Sequence, residues 1–201
     1  MNKVVRINNY QDNRFKKNIL RRKLAYEINN DIAYFDIISN YEAIVYTNNK
    51  DYYKDLINKF RYHNENITKF YDSNNNIIKE FSKVNLFNVN INDLYVSQFC
   101  ISRDKYKNLY NYFKKEEDIL IPVYNYNDKI IILDGHTRLF IAKNKNFKKV
   151  YCYLTNDSFD IYFYNECQKR NINTIYDLEL VSKSEYKNIW IKFCNNYFKK
   201  E

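Results

Sequence analysis

Glycine and proline are nearly absent: Gly135 and Pro122 are the only ones in 201 residues. Tryptophan and methionine also occur once each, and histidine twice. A chain rich in Asn, Lys, Ile and Tyr but poor in Gly, Ala and Pro looks like the product of an AT-rich genome, in which a surviving glycine points to a backbone geometry or close approach that a Cβ would block. No stretch approaches the ~18 uninterrupted apolar residues of a transmembrane helix. The opening Met1-Asn-Lys-Val-Val-Arg6 leads into polar residues and lacks the apolar core of a signal peptide. Cys100, Cys152, Cys167 and Cys194 form no C-x-x-C pair and have no histidine at ligand spacing, which argues against metal or disulfide frameworks and for reduced thiols in a cytoplasmic protein. No cluster of carboxylates at metal spacing accompanies Asp134, which disfavours a metal-dependent nuclease, and no metal ligand is assigned.

What is present is a core-forming composition. Hydrophobic residues make up 45% and aromatics 18%, enough for a packed globule of one domain or two small ones. The formal charge of +9 gives a basic surface and makes nucleic acid a candidate partner, although the same codon pressure inflates lysine. Residues 1–13 read as an irregular polar lead. From Arg14 to Asn29, Phe15, Ile19, Leu20, Leu24 and Ile28 recur at helical spacing and predict an amphipathic helix. Ile32–Ile38 and Ala43–Thr47 read as strands, Asp51–Tyr62 as a helix, and Asp72-Ser-Asn-Asn-Asn76 as a turn. Beyond Leu154 the chain reads as helical, with Asp157 or Ser158 capping a helix to Arg170, a helical turn within 173–180, and Ser182-Lys-Ser-Glu185 as a capping box. The last helix carries Tyr186, Ile189, Trp190, Phe193, Cys194 and Tyr197 as an apolar stripe that should pack as core.

The stretch 119–154 carries the chemistry. Lys129–Leu133 is a β-branched run fit for a buried strand, and Leu139, Phe140 and Ala142 begin a helical pattern. Asp134-Gly-His-Thr-Arg138 therefore lies between a strand end and a helix start, where unpaired N–H groups and the helix dipole favour an anion. Gly135 would let a phosphate approach the backbone, Arg138 adds a planar fork of donors, Thr137 a hydroxyl, and His136 a group that titrates near neutrality. Asp134 would accept a proton or face a magnesium ion carried in with a nucleotide.

These residues resemble the ParB/sulfiredoxin superfamily: a strand, D-G-H-x-R, a helix with Ala four residues past the Arg, and a closing strand. Val89–Ile91 and Leu94–Ser97, a helix over Ser102–Lys115, and Ile121-Pro-Val123 fit the same order, so the resemblance spans about 86–155. The Asp-Gly-His form is nearest to the free serine kinase branch. Gly135 is followed directly by His136, without the cysteine of sulfiredoxin, and the Gly-Glu-Arg-Arg turn of CTP-hydrolysing ParB proteins is missing. Where serine kinases carry a Glu, this chain reads Ser97-Gln98-Phe99.

The resemblance implies an α/β (α+β) fold with a ParB/sulfiredoxin-like mixed sheet over 86–155; the residue patterns outside it add a small α/β region over 1–85 and packing helices over 156–201. It implies a bacterial nucleotide-binding protein, taking ATP, ADP or CTP with magnesium. Its activity would be that of a kinase or phosphotransferase acting on a small-molecule acceptor. Asp134 and His136 would be catalytic, and Gly135, His136, Thr137 and Arg138 would hold the nucleotide. The alternative is a non-enzymatic, nucleotide-dependent DNA-binding regulator.

Overall fold

The computed structural model describes residues 2–155 and 160–199. The chain has a mixed α+β fold and divides into two compact units, Met1–Val84 and Asn85–Glu201.

The first unit contains β1 (Val4–Arg6), helix α1 (Lys17–Arg21), β2 (Ala25–Ile28), β3 (Asp31–Ile37), β4 (Glu42–Thr47), α2 (Tyr53–Arg61), β5 (Lys69–Tyr71) and β6 (Ile77–Glu80). The six strands form one sheet in sequence order. All neighbours are antiparallel except β4 and β5, which run parallel because α2 crosses between them. Leu56, Ile57 and Phe60 of α2 are buried in a core with Tyr26, Phe35 and Phe70. The Phe35 and Phe60 rings stack at 3.9 Å, and Phe70 meets both edge-on. The 72–76 cluster does form the β5–β6 turn, with the Asp72 carboxylate accepting from the Asn74 and Asn76 N–H groups.

Two expectations fail in this unit. The polar lead is not irregular throughout, since Val4–Arg6 pairs with β2 and the Asn2 N–H bonds to Asp55. The helix expected from Arg14 to Asn29 stops at Arg21: Lys23 takes a left-handed conformation, and Ala25–Ile28 enters the sheet. The apolar spacing was still a burial signal, because Phe15, Ile19, Leu20, Leu24 and Ile28 are all buried. Their apparent helical period spans a short helix and a strand. Asn29 and Asn30, both left-handed, form the two-residue turn that closes β2 onto β3, a geometry matched to strand twist.

The second unit contains β7 (Phe87–Asn90), β8 (Leu94–Tyr95), β9 (Ile101–Ser102), α3 (Arg103–Leu109), β10 (Leu120–Tyr126), β11 (Lys129–Ile132), α4 (His136–Asn144), β12 (Lys149–Leu154), α5 (Ile161–Lys169), β13 (Leu180–Val181), α6 (Lys183–Tyr186) and α7 (Lys192–Phe198). Its main sheet is mixed, in the order β7-β12-β10-β11-β8, and β13 pairs with β9 alone. β10 and β11 form a hairpin through left-handed Asn127 and Asp128, whereas β12 lies parallel to β10, so α4 crosses over the sheet. Leu139, Phe140 and Ala142 of α4 are buried with Ile119, Ile121, Val123 and Ile132. The expected helix over Ser102–Lys115 ends at Leu109; the Asp118 carboxylate accepts from the Lys114 and Lys115 N–H groups and folds that segment into a tight turn instead.

The expected caps Asp157 and Ser158 lie outside the described residues; Asp160 caps α5 by accepting from the Tyr162 N–H. The Ser182 and Glu185 capping box forms, opening a continuous helical run through a π-turn at Lys187–Ile191 into α7. Its stripe packs as aromatic clusters: Trp190 and Phe193 meet Phe99 at 5.1 and 4.7 Å, and Tyr197 stacks on Tyr162. Ile189 departs from that expectation and is exposed, because the widened π-turn rotates it off the packed face. Among the described residues, no helix is long and apolar enough to cross a membrane.

Candidate functional site

The turn between β11 and α4 is where the chain's only glycine sits, and its backbone explains why. Gly135 has φ +94°, a left-handed value that a side-chain-bearing residue rarely adopts. A Cβ built there would stand 2.8 Å from Ile121 Cδ1 and 2.9 Å from both Nε and Nη2 of Arg138. The room expected for a phosphate on that side of Gly135 is thus taken by protein. The close approach that glycine permits is that of the Arg138 guanidinium, which lies across the turn.

Arg138 Nη2 is 3.3 Å from Asp134 Oδ2, an i,i+4 pair at the mouth of the turn. The Asp134 side chain is 73% exposed, although many protein atoms stand around it. That crowding is the largest single influence and raises its pKa, but Arg138, the Gly135 N–H, His136 and Lys105 together outweigh it, so the carboxyl lies below its usual range and is ionised near neutrality.

His136 takes a different place from its neighbours. It is buried, and its Nε2 accepts the Ser97 N–H at 3.0 Å, which requires a neutral ring protonated on Nδ1. Burial pushes its pKa down to about 4 against the pull of Asp134, with Arg138 and Lys105 adding to the fall. Ser97 Oγ donates to the Ile132 carbonyl at 2.6 Å, so the segment after β8 is fastened to both ends of the β11–α4 turn. His136 thus fastens the turn to the segment after β8 through Nε2. Thr137 is half-buried beside it.

The structure brings Asp134, Gly135 and Arg138 together and adds two residues that the sequence reading missed. Ser97 is one. Lys105 of α3 is the other: its ammonium is held by the Tyr186 hydroxyl at 3.1 Å and the Tyr186 ring at 4.8 Å, and its charge bears on both Asp134 and His136. A serine directly after the apolar run Leu94–Val96 was the available sign of the first, since a buried hydroxyl needs a partner. Lys105, one lysine among many, gave no sign. Gln98, at the position where a glutamate was sought, bonds the Cys100 carbonyl in its own loop.

The donor set can be tested against a phosphate. Gly135 is the N-cap of α4 and offers no side chain, so the first N–H groups of this nine-residue helix lack a side-chain cap. With the Arg138 fork beside them, they suit phosphoryl oxygens. Asp134 is the turn's only carboxylate and the group that would face a magnesium ion. Burial raises the thiols of Cys100 and Cys194 to about 11 and those of Cys152 and Cys167 to about 12, leaving all four protonated near neutrality.

The chain matches no protein-family model and no curated protein. Among solved structures it is similar to the protein Atu1540 from Agrobacterium tumefaciens, at 14% identity and a TM-score of 0.36, over 50% of this chain and 64% of that one. A similarity this low carries no functional argument.

Proposed function

We propose that the protein is a cytoplasmic nucleotide-binding protein of the ParB/sulfiredoxin type that transfers a phosphoryl group to a small acceptor. The observation that carries this reading is the β11–α4 turn, where an uncapped helix start, the Arg138 guanidinium and the ionised Asp134 carboxylate meet at one exposed edge. In this reading the first N–H groups of α4 and Arg138 hold the phosphates, with the charge of Lys105 adding to the positive field. A bound nucleotide with magnesium would supply the phosphoryl group. A carboxylate held below its usual pKa is a weak base, so Asp134 orients the acceptor hydroxyl and faces the metal more than it removes a proton. His136 and Ser97 keep the turn in register.

Asp134→Asn tests the reading, since it keeps the shape of the turn and removes the charge. Nucleotide affinity should stay within a few-fold while transfer from γ-labelled ATP to a panel of hydroxyl acceptors falls by about a hundredfold or more. A parent protein that binds nucleotide yet labels no acceptor would instead support the regulator.

A further inference from the structure

The opposite end of α4, about 13 Å from its start at a 1.5 Å rise per residue, carries a second feature, which does not depend on the proposed phosphotransfer. A cavity of about 230 Å³ opens there between the C-terminal turn of α4, the segment after β7 and the tight turn at Ile175–Asp177. Its floor is apolar, made by buried Ile91 and half-buried Phe147. Tyr176 stands on its wall with 51% of its surface exposed, and Lys143 Nζ lies 5.2 Å from the centre of that ring.

The rim is polar and basic. Lys143 and Lys148 supply two cations, and Asn90, Asn92 and Asn146 supply amide groups that both donate and accept. Asp93 is the one acid of the lining, and its carboxylate accepts from Asn90 Nδ2 at 3.1 Å.

We propose that this cavity seats one base of a single-stranded nucleic acid, stacked on Tyr176, with the flanking phosphates on Lys143 and Lys148. Size favours a strand over a free nucleotide. Small-molecule sites run to roughly 300–1,000 Å³, so 230 Å³ takes a single planar ring and leaves sugar and phosphate outside on the rim. The chemistry of the walls fits that division. An exposed tyrosine face is a stacking platform for any base, side-chain amides match the donor and acceptor pairs of base edges, and lysines track the backbone. Asp93 can accept a hydrogen bond from the exocyclic amine of adenine or cytosine.

The test is fluorescence anisotropy of the full chain with a labelled adenine oligonucleotide of roughly 12 nucleotides, a duplex of the same length, and unlabelled AMP as competitor. The parent should bind the single strand more tightly than the duplex, and AMP should not displace it at comparable concentration. Tyr176→Ala should weaken strand binding about tenfold, a value within the range for one lost stacking partner. The tyrosine is half exposed, so the variant should melt as the parent does. Lys143→Gln with Lys148→Gln should lower the slope of log affinity against log salt by about 1.4, the single-strand value for two phosphate contacts, whereas Lys17→Gln with Lys54→Gln, removing the same charge elsewhere, should not. Equal losses for the two lysine pairs, parent-like binding by Tyr176→Ala, displacement by AMP, or no strand binding at low salt would each overturn the proposal.

Discussion

At the scale of single residues, His136 gives a signature separable from any activity. Its folded pKa of about 4 lies below the ordinary 6.5. As pH falls below 6.5 the unfolded chain takes up this proton and the native state does not, so the His136 contribution to stability falls with pH and levels off only below about 4. The drop between pH 7 and pH 5 should be about 2 kcal/mol. Asp134, depressed below its ordinary 3.8, acts only in more acidic solution, where its contribution is lost as pH falls, so the two windows stay apart. Urea denaturation at pH 7 and pH 5 checks this: His136→Gln should abolish most of the difference shown by the parent. An equal loss of stability in both proteins would assign the pH dependence to other groups. At this scale the site was partly legible. Gly135 announced a special backbone by its rarity, but sequence could not show that its Cβ side is filled by Arg138 and Ile121, nor that His136 points inward to Ser97. Both follow from long-range packing of β10 and the segment after β8.

At the scale of elements, asparagine does the work that glycine does elsewhere. Asn29, Asn30, Asn75, Asn127, Asn146 and Asn171 all adopt positive φ, as does Asp128. Asparagine tolerates the left-handed region better than other side-chain-bearing residues, so a chain short of glycine closes its turns with it. Replacing Asn29 and Asn30 together by Ala should therefore cost about 1–2 kcal/mol, while replacing both by Gly should cost little, as read from urea midpoints. Equal effects of the two double replacements would remove the left-handed turn from the account. The same residues explain what was readable. Strands β3 and β4, helix α2 and the Ser182 capping box follow from apolar period and cap chemistry. The expected helix across Arg14–Asn29 failed because apolar spacing alone cannot distinguish one long helix from a short helix followed by a strand. The Asn29-Asn30 pair was the missed sign of a hairpin.

At the scale of the whole molecule, each compact unit has its own buried cluster, one around Phe35, Phe60 and Phe70, the other around Ile121, Ile132 and Leu139. A fragment of residues 85–201 should therefore fold by itself and unfold in a single cooperative transition, checked by calorimetry; a broad, non-cooperative melt would contradict that. The central claim is that the β11–α4 turn of this unit holds a nucleotide by its phosphates. The most direct measurement is isothermal titration of the full chain with ATP, ADP and CTP in the presence of magnesium, repeated with Arg138→Ala. We expect saturable binding by the parent and a loss in the variant of roughly ten- to a hundredfold, equivalent to about 1.5–3 kcal/mol for a charge-assisted contact, in a variant that still melts cooperatively. Parent-like affinity in Arg138→Ala, or a parent that binds none of the three, would contradict it and leave the Arg138–Asp134 pair as packing around a glycine turn.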